Sequence, residues 1–250
     1  MATYLLVHGA WHGAWCWRKV TPLLQAHGHA VLTPTLTGLG ERSHLAHPLI
    51  GLETHIGDVV NVLFYEDLHD AILVGHSSSG TLITAVADRA PERLAHLVYL
   101  DAFVPADGQA TIDLITPETK AAIEARVAAE GDGWLFPSPQ PGSWDNFVRD
   151  GWGVTDEADR RWMVERLGPT PYKTFTDPVR CTDPRAAALP RTFIGCVQDP
   201  ENPGGFARFA QAARSEAGWR YRELATGHEA FLTMPHELVD VLLDIGAPPR

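Results

Sequence analysis

Apolar runs of strand length alternate with stretches whose apolar residues recur at helical spacing, at both ends of the chain. Residues 3–8 form a short apolar run that ends at Gly9. Residues 30–34, 71–74 and 96–100 repeat the pattern, each short enough for a buried strand. Between them, Trp17, Val20, Leu23 and Leu24 share a helical face within 16–27, with Pro22 near its start or at a kink. Ile56, Val59, Val60 and Leu63 do the same within 52–66, and 79–90 reads as a further helix. Such alternation predicts a parallel sheet with helices on both faces.

The pattern breaks near Pro105. Up to Pro190 no strand is evident, and helical pieces at 117–129 and 156–167 are separated by prolines and glycines. Alternation then resumes with strands at 192–197 and 219–224 and helices at 203–216 and 235–245. The reading is an α/β core of residues 1–104 and 191–250, with a sheet of about six strands. A helical cap at 105–190 interrupts it, because a structureless loop of that length is improbable. The cap holds Trp134, Trp144, Trp152 and Trp162, half of the eight tryptophans. With Trp11 they are candidates to line an aromatic substrate pocket, although each could equally bury the cap against the core.

Composition narrows the class. The 250 residues are 45% hydrophobic and 20% charged, as expected of a globular chain, and the net charge is −11. That charge argues against nucleic acid and anionic membranes as partners. No apolar run reaches membrane-spanning length. Cys16, Cys181 and Cys196 are too few and scattered for a disulfide framework or a cysteine zinc site. The strand-like run beginning just after Met1 leaves no room for a basic leader, so a cytoplasmic protein is expected.

The sharpest chemistry lies in Gly75-His76-Ser77-Ser78-Ser79-Gly80, where a strand meets a helix. A serine there can sit on a strained turn with its hydroxyl lifted off the sheet edge, provided small residues flank it. Gly75, Ser79 and Gly80 supply that frame around Ser77, with Ser79 in place of the usual second glycine. Ser78 as nucleophile would put bulky His76 where a small residue is needed. A serine nucleophile needs a base and an orienting acid, ordered Ser, acid, His along such chains. Of the histidines after residue 96, His228 lies in a loop between the last strand and helix, whereas His236 begins the helix. Asp199, just past the strand at 192–197, is the expected acid. Asp101, after the strand at 96–100, is its competitor. The oxyanion donors expected are the backbone N–H groups of Ala10 and Ser78, with Gly9 leaving the approach open. His8 is expected to be a structural hydrogen-bonder.

At these residues the chain resembles the α/β-hydrolase fold family, in the group of plant methyl esterases, plant hydroxynitrile lyases and bacterial esterases. The resemblance rests on Leu5-Leu6-Val7-His8-Gly9-Ala10-Trp11-His12-Gly13-Ala14-Trp15, Val74-Gly75-His76-Ser77, Phe103-Val104-Pro105, Gln198-Asp199 and Gly227-His228. It implies the triad Ser77, Asp199 and His228, the donors Ala10 and Ser78, and no cofactor. In cyanohydrin-cleaving members a threonine and a lysine stand where this chain has Gly9 and Glu229, which favours an ester over a cyanohydrin. The expected reaction is hydrolysis of a small or aromatic carboxylic ester, with amide, carbamate, lactone, lyase and non-catalytic binding readings as alternatives. A small-molecule ester is the expected partner, and a homodimer is left open. The pairs His27/His29 and His44/His47 lack an accompanying ligand cluster, so no metal is expected.

Overall fold

The computed structural model describes residues 1–138, 146–199 and 204–246. Six strands form one sheet: β1 (Thr3–Val7), β2 (Ala30–Leu32), β3 (Ala71–His76), β4 (Leu94–Leu100), β7 (Arg191–Cys196) and β8 (Trp219–Leu224). Two short strands, β5 (Leu135–Phe136) and β6 (Thr170–Pro171), pair antiparallel outside it. The main sheet has the order β2-β1-β3-β4-β7-β8, with every neighbouring pair parallel. From β1 the chain steps outward to β2 and then returns past β1 to β3. The order therefore reverses between β1 and β3, and the carboxyl ends of those strands open a crevice where ligands bind in such sheets.

The alternation of side chains along β1 divides the core. Leu5 and Val7 join one buried cluster with Leu73, Ile83 and Val86, whereas Tyr4 and Leu6 join another with Trp17, Val74 and Leu242. On the first face lie α2 (Leu52–Tyr65), α3 (Ser79–Arg89) and α8 (Ala207–Ser215). On the second lie α1 (Val20–Ala26) and α10 (Pro235–Gly246). The helix expected at 16–27 is two pieces: a 3-10 turn at Ala14–Lys19 runs into α1, and Pro22 falls in the first turn of α1. There its missing N–H costs no intrahelical bond.

Between β4 and β7 the chain forms α4 (Pro117–Glu130), α5 (Glu157–Val164), α6 (Lys173–Thr176) and α7 (Pro184–Ala187), and a last short helix, α9 (Ala230–Thr233), follows β8. The segment between β4 and β7 is not free of strands, because β5 and β6 clip it together. Each is two residues long, too short to leave a periodic signal. Trp144 lies outside the described residues.

Candidate active site

Ser77 leaves β3 with φ 57°, the left-handed conformation that L-residues rarely adopt. Two bonds hold it there: its N–H donates to the Leu100 carbonyl, and its carbonyl accepts from Phe103 N–H. The small-residue frame is enforced on both sides. A Cβ on Gly75 would lie 2.8 Å from Ile83 Cγ2 and from the Ser79 carbonyl, and one on Gly80 would lie 2.0 Å from the Phe103 carbonyl. Ser79 is tolerated because it is buried and its hydroxyl donates to the His8 carbonyl. Gly9 closes the other side, since a Cβ there would stand 2.9 Å from Ser77 Cβ and 3.1 Å from His76 Nδ1. The absent side chain at residue 9 thus lets the loop after β1 pack against Ser77 rather than leaving open space.

His228 lies in the loop after β8, and its Nδ1 donates to Asp101 Oδ2 at 2.6 Å. His228 is thus bonded to Asp101, the competitor of the expected acid Asp199. Asp101 is buried at the end of β4, whereas Asp199 is exposed beyond the end of β7. The two strands are neighbours, so either end lies on the same edge of the sheet. What separates them is backbone: Asp101 takes φ 42°, its N–H donates to the Ile194 carbonyl, and Cys196 N–H reaches its other oxygen at 3.4 Å. Burial lowers the pKa of His228, but the hydrogen bond and charge of Asp101, together with the charge of Glu229, outweigh it and leave it raised.

Ala10 N–H donates to Ser78 Oγ at 2.9 Å, so one expected oxyanion donor lies against the residue that carries the other. Trp11, at φ 66°, donates its N–H to Thr170 Oγ1 at 2.7 Å and its indole N–H to the Phe136 carbonyl at 3.3 Å, tying the loop after β1 to β5 and β6. His8 has the structural role expected of it. Its Nδ1–H donates to the Gly9 carbonyl, its Nε2 accepts from Leu36 N–H, and burial drives its pKa down to about 3. A narrow cavity adjoins Ala10 and Ser78, walled by Leu36, Leu39, Leu82 and Phe175 with His55 at its side.

The tryptophans divide. Trp152 is buried, with its ring centroid 6.2 Å from that of His228 and 5.7 Å from that of Trp11. Trp162 instead packs on Trp15 and lies beneath the Arg18 and Arg166 guanidinium groups. Trp134 is half-buried, and its carbonyl accepts from Tyr172 N–H.

Glu229 has no exposure, and its carboxylate lies 3.6 Å from His12 Nε2. It does not face solvent. Sequence offered one signal for it, adjacency to His228. Among the described residues, His76, His228 and Glu229 bring ligand-type atoms within 4.8 Å of one another. The ring nitrogens of the two histidines are partly committed, His76 Nε2 to the His228 carbonyl and His228 Nδ1 to Asp101. No described helix is long and apolar enough to cross a membrane.

Comparison with known proteins agrees with this architecture. The chain is 37% identical to a carbendazim-hydrolysing esterase of a Nocardioides species over 98% of this chain and all of that one. It is 26% identical to methylesterase 9 of Arabidopsis thaliana, covering 98% of both. An extracellular α/β-hydrolase from a Paenibacillus species superposes with a TM-score of 0.84 at 24% identity, over 99% of this chain and all of that one, a likeness of fold. The alpha/beta hydrolase family model matches residues 4–241, and the chain belongs to that family.

Proposed function

We propose that the protein is a serine hydrolase of small or aromatic carboxylic esters, with Ser77 as nucleophile, His228 as base and Asp101 as the orienting acid. The observation that carries this is the strained Ser77 turn at the carboxyl end of β3, together with a His228–Asp101 pair at 2.6 Å whose imidazole lies 4.4 Å from that of His76, the residue before Ser77. The Asp101 bond fixes a proton on His228 Nδ1 and leaves Nε2 to take the Ser77 hydroxyl proton. Ser77 Oγ attacks the ester carbonyl, and the Ala10 and Ser78 N–H groups hold the resulting oxyanion. The Ala10 N–H is shared with Ser78 Oγ in the free enzyme, so that hydroxyl turns aside as the carbonyl oxygen arrives. His228 then protonates the leaving alcohol and activates the water that releases the acyl group.

The esterase relatives support this chemistry, and the same machinery accepts an amide, carbamate or lactone carbonyl. Trp152 beside His228, with Trp11 against Trp152, suits an aromatic substrate, and the narrow apolar cavity beside Ala10 suits a small substituent. None of these steps uses a cofactor. The three cysteines are free thiols, which suits a reducing cytoplasm. Purified protein offered a panel of aryl and methyl esters should turn over at least one of them, with mandelonitrile left intact. Cyanide release from mandelonitrile that depends on Ser77, with no ester turnover, would replace the esterase with a lyase.

A further inference from the structure

Glu229 is fully buried, and neither carboxylate oxygen has a hydrogen-bond partner among the described residues. Its nearest counterpart is His12 Nε2 at 3.6 Å, also buried and also without a hydrogen bond. The tautomer of His12 is fixed from its other side. Nδ1 lies 2.7 Å from the Ala10 carbonyl, which can only accept, so Nδ1 carries a hydrogen. A neutral His12 therefore presents a bare lone pair at Nε2 toward an acid that, if ionised, presents only lone pairs. Two buried acceptors facing each other are repulsive, and one proton between them removes the conflict. Burial pushes the Glu229 carboxyl up to about 7 and the His12 imidazole down to about 4, so the proton rests on Glu229 at mildly acidic pH.

The other titratable groups around Glu229 are Cys16 on the 3-10 turn before α1, Cys196 at the end of β7, Asp101 at the end of β4, His76 at the end of β3 and its own neighbour His228. Burial raises both thiols well above their ordinary range and keeps them neutral, and His76 is lowered and neutral. His228 is thus the group beside Glu229 that gains a positive charge during turnover.

We propose that Glu229 is a positioning residue for the base: with His12 it forms a buried acid–imidazole pair that holds one proton and turns its carboxylate toward the His228 imidazolium. This rests on the reading of Ser77 and His228 above. As His228 takes the Ser77 proton, the Glu229 proton passes to His12 Nε2. The Glu229 carboxylate is then left between two imidazoliums, those of His12 and His228, whose mutual repulsion opposes the shift and which it screens, and the Glu229–His12 pair keeps its net charge of zero. When His228 gives up its proton, the Glu229 proton returns. The rings of Trp15 and Trp152, tilted by 31° and 39° with centroids 5.2 and 5.9 Å from the His12 ring, offer π-faces to the transient cation.

The test is the titration of His228, read in two ways. In Glu229→Gln the acid limb of the kcat/KM profile should move to lower pH by at least about 0.5 unit, about threefold in the protonation equilibrium. His12→Phe, which keeps a ring among the aromatic neighbours, should move it the same way, and the double variant should move it no further than either single one. The same shifts should appear in the NMR titration of the His228 ring on a Ser77→Ala background, where no turnover is needed. Acid limbs and ring titrations that stay put while activity merely scales down would overturn the pairing, as would additive shifts in the double variant. Full ester turnover in Ser77→Ala alone would instead remove the underlying reading of the site, and the ring titration would still decide the role of Glu229.

Discussion

Ser77 occupies a conformation that costs an L-residue roughly 1–2 kcal/mol, held by the Leu100 and Phe103 backbone bonds on either side. Such strain does not depend on the hydroxyl, so Ser77→Ala should fold as stably as the parent while losing ester turnover. Intact-mass detection of a serine-directed phosphonate should show one adduct that disappears in this variant. An adduct mapped to Ser78 would reassign the nucleophile. The acid is decided by a second comparison. If Asp101 orients the base, Asp101→Asn leaves His228 bonded to an amide that favours the wrong tautomer, and turnover should fall by about 10⁴-fold, the scale seen when the acid of a serine protease is so changed. Asp199→Asn, at an exposed position, should cost less than about tenfold. A larger loss at Asp199 than at Asp101 would place the acid on β7. The strand-to-helix turn at Ser77 and the loop position of His228 were legible because motif and chain order both constrain them. The hydrogen-bond partner of His228 was not, because Asp101 and Asp199 each follow one of two adjacent parallel strands. The φ of 42°, the burial of Asp101 and its bonds to His228 and from Cys196 mark it in the structure.

Glycine positions divide according to what surrounds them. Gly80 lies in the first turn of α3 with the Phe103 carbonyl where its Cβ would be, so the helix can approach the chain after β4 only without a side chain. Gly80→Ala should cost at least about 2 kcal/mol through overpacking and should displace the turn that holds Ser77. Gly57, in the middle of α2, has nothing within 4 Å of the corresponding position. There Gly57→Ala should stabilise by roughly 0.5–1 kcal/mol, since alanine restricts the unfolded chain and favours helix. Urea unfolding of the two variants should move the midpoint in opposite directions. The elements were legible wherever a long apolar period ran uninterrupted, as in α2 and the six strands of the main sheet. The 3-10 turn before α1 and the two-residue strands β5 and β6 are set by tertiary contacts, such as the bond from Trp11 to Thr170, and leave no period in the sequence.

The acidic chain carries much of its histidine content inside, and this gives the whole molecule a pH dependence opposite to that of a surface-histidine protein. Burial lowers His8 to about 3 and His12 and His96 to about 4, and it lowers His55 and His76 as well. In the unfolded chain each would titrate at its ordinary value of 6.5. Below that value the unfolded state binds protons that the folded state refuses, so stability falls with pH until the folded groups themselves titrate. Glu229, raised from 4.5 to about 7, works against this, since its contribution is complete below pH 4.5 and is lost as pH rises toward 7. His228 also opposes it, because its raised pKa adds stability on the acid side. Five lowered imidazoles outweigh these two groups, and below pH 4.5 the Glu229 contribution no longer changes. The urea midpoint should therefore decline from about pH 6 and fall steeply between pH 5 and pH 4. Replacing His96, which lies on β4 away from the Ser77 turn and bonds Thr192 Oγ1, with glutamine should flatten that decline while leaving turnover at pH 7.5 within about twofold. A midpoint that holds constant down to pH 4 would show that the buried imidazoles are protonated in the folded state, and the neutral tautomers assigned to His8 and His12 would have to be abandoned with it.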